Sequence, residues 1–294
     1  EGYKIEELVD KASDVILPHC LKYSHIIIVC GPGNNGADGI SLGIKLHIRA
    51  REVKLYCFGN PDKFSDANNY YVQQAQEMEV PIVFMAQEDM GLFKSDLQKA
   101  DLIVDAMFGF GLNSPVRGLA KNLIDEINTL VDTDVIAIDI PTGLNPDNGI
   151  PYGSVIQATK TVTLTAIKQA FLNEECHQYT GEIAIELLRV KDLRKNQKLA
   201  RLVSPAWVKR HLKQRDYYGY KGVYGKVLHI TGCNHYRGAA LMAAKASVYT
   251  GSGIVCVNST EKVIDGLTVF VPESTSMLRN DKLDHEMFDD YNAI

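Results

Sequence analysis

Seven short apolar runs, each followed by a polar or glycine-containing loop and a longer amphipathic stretch, constrain the fold of the first two thirds of this chain. β-Branched runs of this length are typical of buried strands, and their alternation with amphipathic stretches predicts parallel strands joined by crossover helices. The predicted strands are 25–30, 53–58, 81–85, 102–106, 135–139, 161–165 and 182–187. After the first strand, Ile40, Ile44 and Ile48 recur at one helical turn, which predicts a helix from Asp38 to Ala50 with one face on the sheet. The sequence therefore predicts a doubly wound α/β layer.

A basic stretch follows this layer. Between Arg189 and Lys226 the chain has twelve Lys or Arg residues and two acidic ones. No binding motif accompanies these charges, so they indicate a solvated linker rather than a nucleic-acid site. Ser204 and Pro205 predict the start of a short helix there. The α/β pattern then restarts, with a strand at 226–231, a helix at 239–249 and a strand at 253–257. We therefore predict a first domain at 1–190, a linker at 191–215 and a second domain at 216–294.

Composition limits the classes of partner. The 36 acidic and 31 basic side chains give a net charge of -5, which argues against nucleic acid or an anionic membrane surface as the main partner. No run approaches the roughly 18 apolar residues that would cross a bilayer. The six cysteines are scattered, without the two-residue spacing of a zinc or redox pair, so they predict reduced thiols in a cytoplasmic protein. Small molecules are the expected ligands.

The loop after the first strand is the first candidate site. Gly31, Gly33 and Gly36 in GPGNNGADG satisfy the pattern G-x-G-x-x-G, in which backbone N–H groups and a helix N-terminus approach a phosphate. A dehydrogenase would also need an acidic residue at the end of the second strand, which here reads YCFGN, so that class is disfavoured. The two asparagines and Asp38 exceed what phosphate binding needs and indicate contacts to a ligand or ion. They could equally cap the following helix.

Two further strands end in a similar way. Asp105 closes the fourth predicted strand and Asp139 closes the fifth, and each leads into a glycine-containing loop. Ligands of open α/β sheets bind at the carboxyl ends of the strands, so Asn35, Asp105 and Asp139 are predicted to converge. A single aspartate at a strand end is more often a turn former. Three polar strand ends in one sheet favour a shared ligand.

Three segments carry a resemblance to a known family. GPGNNGADG, DAMFGFGLNSPVRG and DIPTGLNPDNG, in this order and spacing, resemble the signature segments of the NAD(P)H-hydrate epimerases, over residues 1–188. The resemblance implies a Rossmann-like three-layer αβα domain and an isomerase that interconverts the R and S forms of hydrated NADH and NADPH in nucleotide repair. It also implies a homo-oligomer.

The resemblance further implies the residues of the site. A potassium ion would be held by Asn35, Asp105 and Thr142, which are hard oxygen ligands carrying one full carboxylate charge. Ser114 stands where an arginine is often found in the family, and Arg117 is close enough in sequence to substitute. The hydrated dinucleotide would be lined by Asn34, Asn35, Gly36, Ala37, Asp38, Gly109, Phe110, Gly111, Leu112, Asn113, Ser114, Pro115 and Asp139.

The chemistry of the hydrate suggests roles for two residues. Carbon C6 of its nicotinamide ring carries a hydroxyl beside N1, and it loses its configuration when either the C–O or the C–N bond opens. Asp139 could donate a proton as the neutral acid and accept one as the carboxylate. The sixth strand brings Lys168 nearby, where the family has a lysine, and this residue is either catalytic or a plain surface residue. The sequence does not decide which bond opens, or whether NADH or NADPH hydrate is preferred.

The second predicted domain carries a separate resemblance. KGVYGKVL, GAAL and GSGIV resemble the opening of the ADP- or ATP-dependent NAD(P)H-hydrate dehydratases, which have a ribokinase-like fold. The later GPGLG, HPGE-type and G-x-G-D segments of that family do not occur, so an incomplete dehydratase domain fused to an epimerase is expected. Two alternatives stay open for the whole chain. One is a non-catalytic dinucleotide-binding or scaffolding module, and the other is an accessory domain of a dehydratase.

Overall fold

The seven apolar runs form one parallel sheet in the computed structural model, which describes residues 2–188, 190, 203–212, 214–279 and 285–294. Each strand lies within one residue of its predicted bounds. Three predictions ran one residue too far. Two of them ended on Asp139 and Thr165, whose φ angles of 68° are left-handed and cannot continue a strand, and the third ended on Leu187. The strands are β1 His25–Cys30, β2 Glu52–Phe58, β3 Ile82–Met85, β4 Leu102–Ala106, β5 Asp134–Ile138, β6 Lys160–Leu164 and β7 Glu182–Glu186.

The strand order confirms a doubly wound sheet. It runs β3-β2-β1-β4-β5-β6-β7, so the chain moves outward from β1 in one direction and then restarts at β4 on the other side of β1. This reversal creates a topological switch point between β1 and β4. Ligands of open α/β sheets bind outside the carboxyl ends of the strands at such a point.

Helices cover both faces of the sheet, which confirms the three-layer αβα class. One face carries α1, α2 and α3, and the other carries α4 and α5. Side chains of β1 alternate between two cores, with Ile28 on the α2 side and Ile27 and Val29 on the α5 side. The helices are α1 Ile5–Cys20, α2 Asn34–His47, α3 Asp66–Glu77, α4 Met90–Leu97, α5 Gly118–Ile127 and the single turn α6 His177–Thr180.

The bounds predicted for α2 were wrong at both ends. The helix begins at Asn34 rather than Asp38 and ends at His47 rather than Ala50, so half of the glycine-rich loop is its first turn. Gly39 lets this helix approach the switch point closely, because a Cβ there would lie 2.4 Å from the Cβ of Ala106. The first turn of α2 is thereby fixed over the ends of β1 and β4.

The chain divides into two compact units, Glu1–Gln197 and Lys198–Ile294, and their boundary lies among residues that the structure does not describe. The second unit has a parallel three-stranded sheet in the order β10-β9-β8, which confirms a second, smaller α/β layer. The predicted strand 253–257 began one residue too early and ended two residues short. The predicted helix 239–249 began two residues too late and ended one residue short. The elements of the second unit are α7 Pro205–His211, β8 Lys226–Ile230, α8 Arg237–Thr250, β9 Ile254–Ser259, α9 Glu261–Phe270 and β10 Thr275–Leu278.

The helix predicted from Ser204 and Pro205 is confirmed, because the Ser204 hydroxyl caps α7 by accepting a hydrogen bond from the Trp207 N–H at 3.1 Å. The rest of the predicted linker lies largely outside the described residues, and the three-part domain division stays a prediction. In the part of the chain that the structure describes, no helix is long and apolar enough to span a membrane. All six cysteines are free.

Candidate functional site

Three strand ends meet at one edge of the first sheet. Strands β1, β4 and β5 are neighbours, and Asp105 pairs in register with Val29 on one side and Ala137 on the other. The loops that leave β1 and β4 also touch, because a Cβ built on Gly109 would lie 3.3 Å from Oδ1 of Asn35. The structure therefore brings the carboxyl ends of these strands, and the polar residues that follow them, to the switch point of the sheet.

Asp105 is locked to the loop that follows β5. Its Oδ1 accepts hydrogen bonds from the Thr142 hydroxyl at 2.7 Å and the Met107 N–H at 3.1 Å, and its Oδ2 accepts one from the Thr142 N–H at 2.8 Å. Both side chains are fully buried. Burial raises the pKa of Asp105 to about 6, although the bonds from Thr142 and Met107 oppose the shift. No ion pair compensates this carboxylate within the described residues.

Oxygen atoms gather around the same carboxylate. The Thr142 hydroxyl oxygen accepts a hydrogen bond from the Phe108 N–H at 2.9 Å and lies 3.2 Å from the Phe108 carbonyl oxygen. Nearby, Nδ2 of Asn35 is buried and finds no hydrogen-bond partner among the described residues. Phe108 was missed by the sequence analysis, since its contribution is a backbone carbonyl that no side-chain pattern reports.

Asp139 forms an ion pair with Lys168. The Lys168 Nζ lies 2.5 Å from Oδ1 of Asp139, and the two side chains are only 14% and 15% exposed. Oδ1 of Asp139 also accepts the Leu164 N–H at 3.0 Å, while the Lys168 ammonium donates to the Leu164 carbonyl at 3.1 Å. Lys168 is therefore not a plain surface residue, because its charge is directed at the residue predicted to carry the chemistry.

Asp38 adds a second carboxyl group to this edge. It lies in the second turn of α2 and is half-buried. Burial, and then the negative charge of Asp139, raise its pKa well above the usual range. These effects favour the protonated form of Asp38, whereas Asp139 is paired with an ammonium. The two carboxyl groups are therefore held in different environments.

The glycine-rich loop presents an uncapped helix N-terminus. The N-cap residue of α2 is Gly33, and no side chain caps it, so the reading of Asn34, Asn35 and Asp38 as capping residues was wrong. The first N–H groups of an α-helix have no partner within the helix. A phosphate is the ligand that such a helix end binds most readily.

The segment after β4 is an open loop beside these groups. A hydrogen bond from the Leu112 N–H to the Gly109 carbonyl at 3.2 Å closes a turn in it. Gly109 and Leu112 are half-buried, and Gly109 lies close to Asn35. The remaining predicted substrate residues of this segment are exposed, namely Phe110, Gly111, Asn113, Ser114 and Pro115.

Asn68 joins the site from α3, and the sequence analysis missed it. Its side-chain amide is fully buried and donates to the carbonyls of Gly31 and Gly33 at 2.7 and 3.1 Å. Its exposed neighbour Asn69 has the same residue type, so the sequence offers no signal that separates the two.

Other candidate sites within the described residues have fewer polar groups that could bind a ligand. A cavity of about 190 Å³ lies at the amino ends of β1 and β2, opposite to the edge that holds Asp105 and Asp139. Its Lys54 and Asp96 side chains satisfy one another at 2.6 Å. No group of three or more His, Cys, Asp and Glu residues in the described ranges is placed to hold a metal ion. The carboxyl edge of the first sheet is therefore the best candidate.

Comparison with known proteins gives this edge a context. Residues 5–170 match the family described as YjeF-related protein N-terminus. The chain is 35% identical over 239 residues to the bifunctional NAD(P)H-hydrate repair enzyme Nnr of Moorella thermoacetica, a match that covers 78% of this chain and 44% of that protein. It is 31% identical over 182 residues to the NAD(P)H-hydrate epimerase of Limosilactobacillus fermentum, which covers 60% of this chain and 83% of that protein. The chain thus spans about half the length of the bifunctional relative.

A solved structure shares the fold. The crystal structure of the yeast protein ynu0 aligns with a TM-score of 0.53 at 20% sequence identity, over 74% of this chain and 88% of that chain. At this identity the likeness shows the fold alone.

Proposed function

This chain belongs to the family of YjeF-related protein N-termini, and from that premise we propose that it interconverts the R and S forms of hydrated NADH and NADPH. The reaction is an isomerisation that repairs damaged nicotinamide nucleotides. The observation that carries the proposal is the meeting of Asn35, Asp105 and Asp139 at the switch point of the sheet. Relatives named NAD(P)H-hydrate epimerase match the chain at 31–35% identity.

The Asp139–Lys168 pair favours catalysis over simple binding. A module that only bound or displayed a dinucleotide would need phosphate contacts, which the start of α2 offers. It would not need a carboxylate and an ammonium 2.5 Å apart in a largely buried position, since placing charges there has a desolvation cost. The Asp139–Lys168 ion pair therefore argues against the scaffolding alternative.

The proposed mechanism uses the two carboxyl groups of the edge. Epimerisation at C6 opens the C–O or the C–N bond and forms it again, so a proton must be given to the departing oxygen or nitrogen and removed from it when the bond re-forms. We propose that Asp139, held by Lys168, exchanges the proton with the substrate, and that Asp38, whose pKa is raised, stores a proton beside it. Paired carboxyl groups with different environments are a common means of dividing acid and base roles. Lys168 also fixes the carboxylate in place, so proton transfer needs no rearrangement.

A potassium ion fits the residues at Asp105. The carboxylate is fully buried, its pKa is raised by that burial, and the Thr142 hydroxyl and Phe108 carbonyl oxygens lie beside it. Hard oxygen ligands with one negative charge suit a monovalent cation. We propose that Asn35, Asp105 and Thr142 would hold it. The ion would supply positive charge against the buried carboxylate and join the loops that follow β1, β4 and β5.

The second unit supports a bifunctional protein. The matches to two bifunctional repair enzymes cover 78% and 84% of this chain, so they extend beyond the first unit, which ends at residue 197. We propose that residues 216–294 belong to a dehydratase-like part that would act on the S form. We further propose a cytoplasmic homo-oligomer that does not bind nucleic acid, consistent with the net charge of -5.

A direct assay tests the proposal. The purified R form of NADPH hydrate is incubated with the protein, and the S form is followed by chromatography in potassium buffer and in potassium-free buffer. An epimerase accelerates the exchange well beyond the protein-free rate, and more strongly with potassium. A scaffold or an accessory domain of a dehydratase leaves the exchange rate unchanged.

A further inference from the structure

The carbonyl groups of Gly31, Pro32 and Gly33, in the loop after β1, accept hydrogen bonds from residues at the start of α3. The Gly31 carbonyl accepts from Nδ2 of Asn68 at 2.7 Å, and the Gly33 carbonyl accepts from the same nitrogen at 3.1 Å. Between them, the Pro32 carbonyl accepts from the Ser65 N–H at 2.9 Å. Ser65 and Asn68, at the start of α3, therefore hold three consecutive carbonyls, of which the Gly33 carbonyl also accepts the Ala37 N–H at 3.3 Å as the first bond of α2. Their negative ends are thereby prevented from turning toward an anionic ligand.

Asn68 serves this loop as a donor only. Its amide is fully buried, both of its bonds come from Nδ2, and its Oδ1 finds no hydrogen-bond partner in the described residues. The reverse orientation of the amide would place Oδ1 2.7 Å from a carbonyl oxygen and is excluded by repulsion. An idle buried acceptor is costly. The two donated bonds are therefore what this position supplies to the loop.

The same amide lies against the first turn of α2. A Cβ on Gly36 would lie 1.9 Å from the Gly31 carbonyl oxygen and 2.8 Å from Nδ2 of Asn68. There is therefore no free space between the first turn of α2, the Gly31 carbonyl and the Asn68 amide. A displacement of the Asn68 amide would therefore shift the N–H groups of Asn34 and Asn35.

We infer that Asn68 is the positioning residue for the phosphate-binding loop, holding its carbonyls away from the pyrophosphate of a dinucleotide so that only N–H groups face it. The inference rests on the proposed function. Asn68 acts through the loop and does not touch the reacting carbon. Its removal should weaken binding of the dinucleotide while leaving the proton-transfer step almost unchanged.

The experiment compares Asn68→Ala with Asn69→Ala in the full chain. Asn69 is the matched control, because it is exposed and its amide makes one long bond of 3.4 Å to the Phe64 carbonyl. With NADPH hydrate, Asn68→Ala should raise KM about ten- to a hundredfold, the range expected for two lost hydrogen bonds, with kcat within about twofold. Asn69→Ala should leave both constants unchanged.

A second substrate separates positioning from general damage. The hydrate of reduced nicotinamide riboside carries no phosphate, so its KM should be the same in wild type and Asn68→Ala. An equal rise in KM for both substrates, or a fall in kcat with KM unchanged, would overturn the inference. The hydroxyl of Asn68→Ser is one bond too short to replace the amide nitrogen, so this variant should raise KM for NADPH hydrate as Asn68→Ala does. Loss of folding in both variants would assign Asn68 to the core and also overturn it.

Failure of the proposed function gives a different result. In that case the wild-type protein does not accelerate epimerisation at all. Calorimetric titration with NADPH then still tests Asn68, because the variant should bind this dinucleotide about ten- to a hundredfold more weakly than wild type and Asn69→Ala do. Equal affinities in the three proteins would refute the positioning role.

Discussion

Asp105 should make the stability of the first unit depend on pH in a predictable direction. Its pKa is raised from 3.8 to about 6 by burial, so the folded protein holds this proton more tightly than the unfolded chain does. The stabilisation is therefore fully present below pH 3.8 and is lost as the pH rises through about 6. With about 1.4 kcal/mol for each pKa unit, the shift corresponds to about 3 kcal/mol, of which roughly half is present at pH 5.

The substitution Asp105→Asn isolates this contribution. Urea unfolding is measured for wild type and variant from pH 4 to pH 8 in potassium-free buffer, and the difference in free energy of unfolding is plotted against pH. Other titrating groups are common to both proteins and cancel, as does any constant cost of the amide. The wild type should lose about 2–3 kcal/mol relative to the variant between pH 4 and pH 7, with no further change above pH 7.

A matched control uses an exposed carboxyl group. Asp62→Asn alters an exposed residue in the turn after β2, and its curve should run parallel to that of wild type. The reasoning is refuted if the Asp105→Asn curve is also parallel to wild type, or if the wild type gains stability relative to Asp105→Asn as the pH rises.

Three further predictions concern the site. Asp139→Asn should lower the unfolding temperature, because the largely buried Lys168 ammonium loses its carboxylate partner, and should lose epimerisation by orders of magnitude in protein that is still folded at the assay temperature; near-normal turnover, followed by chromatography of the epimers, would remove Asp139 from the mechanism. Gly36→Ala should cost about 1–3 kcal/mol in urea unfolding, since its Cβ would lie 1.9 Å from a carbonyl oxygen, whereas Gly33→Ala has open space and a φ of -95° and should be nearly neutral. Potassium chloride should raise the unfolding temperature of the wild type above that in tetramethylammonium chloride, and Asp105→Asn should show no such difference.

The sequence predicted the strands well because buried parallel strands carry their own signal. The run His25–Cys30 is apolar, β-branched and bounded by a glycine loop, and the strand has those bounds. Helix α2 was harder to place, because its N-cap is a glycine without a capping side chain and its first turn contains residues typical of loops. Asn34–Gly36 are helical despite their low helix propensity, in a helix whose Gly39 lies close to β4.

The positions of candidate site residues could be predicted where a polar residue lies at or just after the end of a strand. Asp105 and Asp139 follow from strand ends, and Asn35 follows from the glycine-rich segment after β1, since parallel strands deliver their carboxyl ends to one edge. Contacts that join distant segments could not be predicted in this way. Asn68 lies more than thirty residues from the carbonyls that it holds, and the Phe108 carbonyl has no side-chain signature. Both depend on how the helices and loops pack after the sheet has formed.

The backbone at Asp139 bears on how its role can be tested. Its φ of 68° is left-handed, and Thr165 at the end of the neighbouring strand has the same value. A bond from the Leu164 N–H to Oδ1 of Asp139 at 3.0 Å links these two strained strand ends. Asparagine tolerates left-handed backbone at least as well as aspartate, whereas alanine does not. Asp139→Ala would therefore combine the loss of the carboxylate with a backbone cost of about 1 kcal/mol. Asp139→Asn keeps the backbone and the acceptor for Leu164, and it removes the charge that serves both proton transfer and the pair with Lys168. Activity lost in that variant therefore reports the carboxylate rather than a change in the backbone.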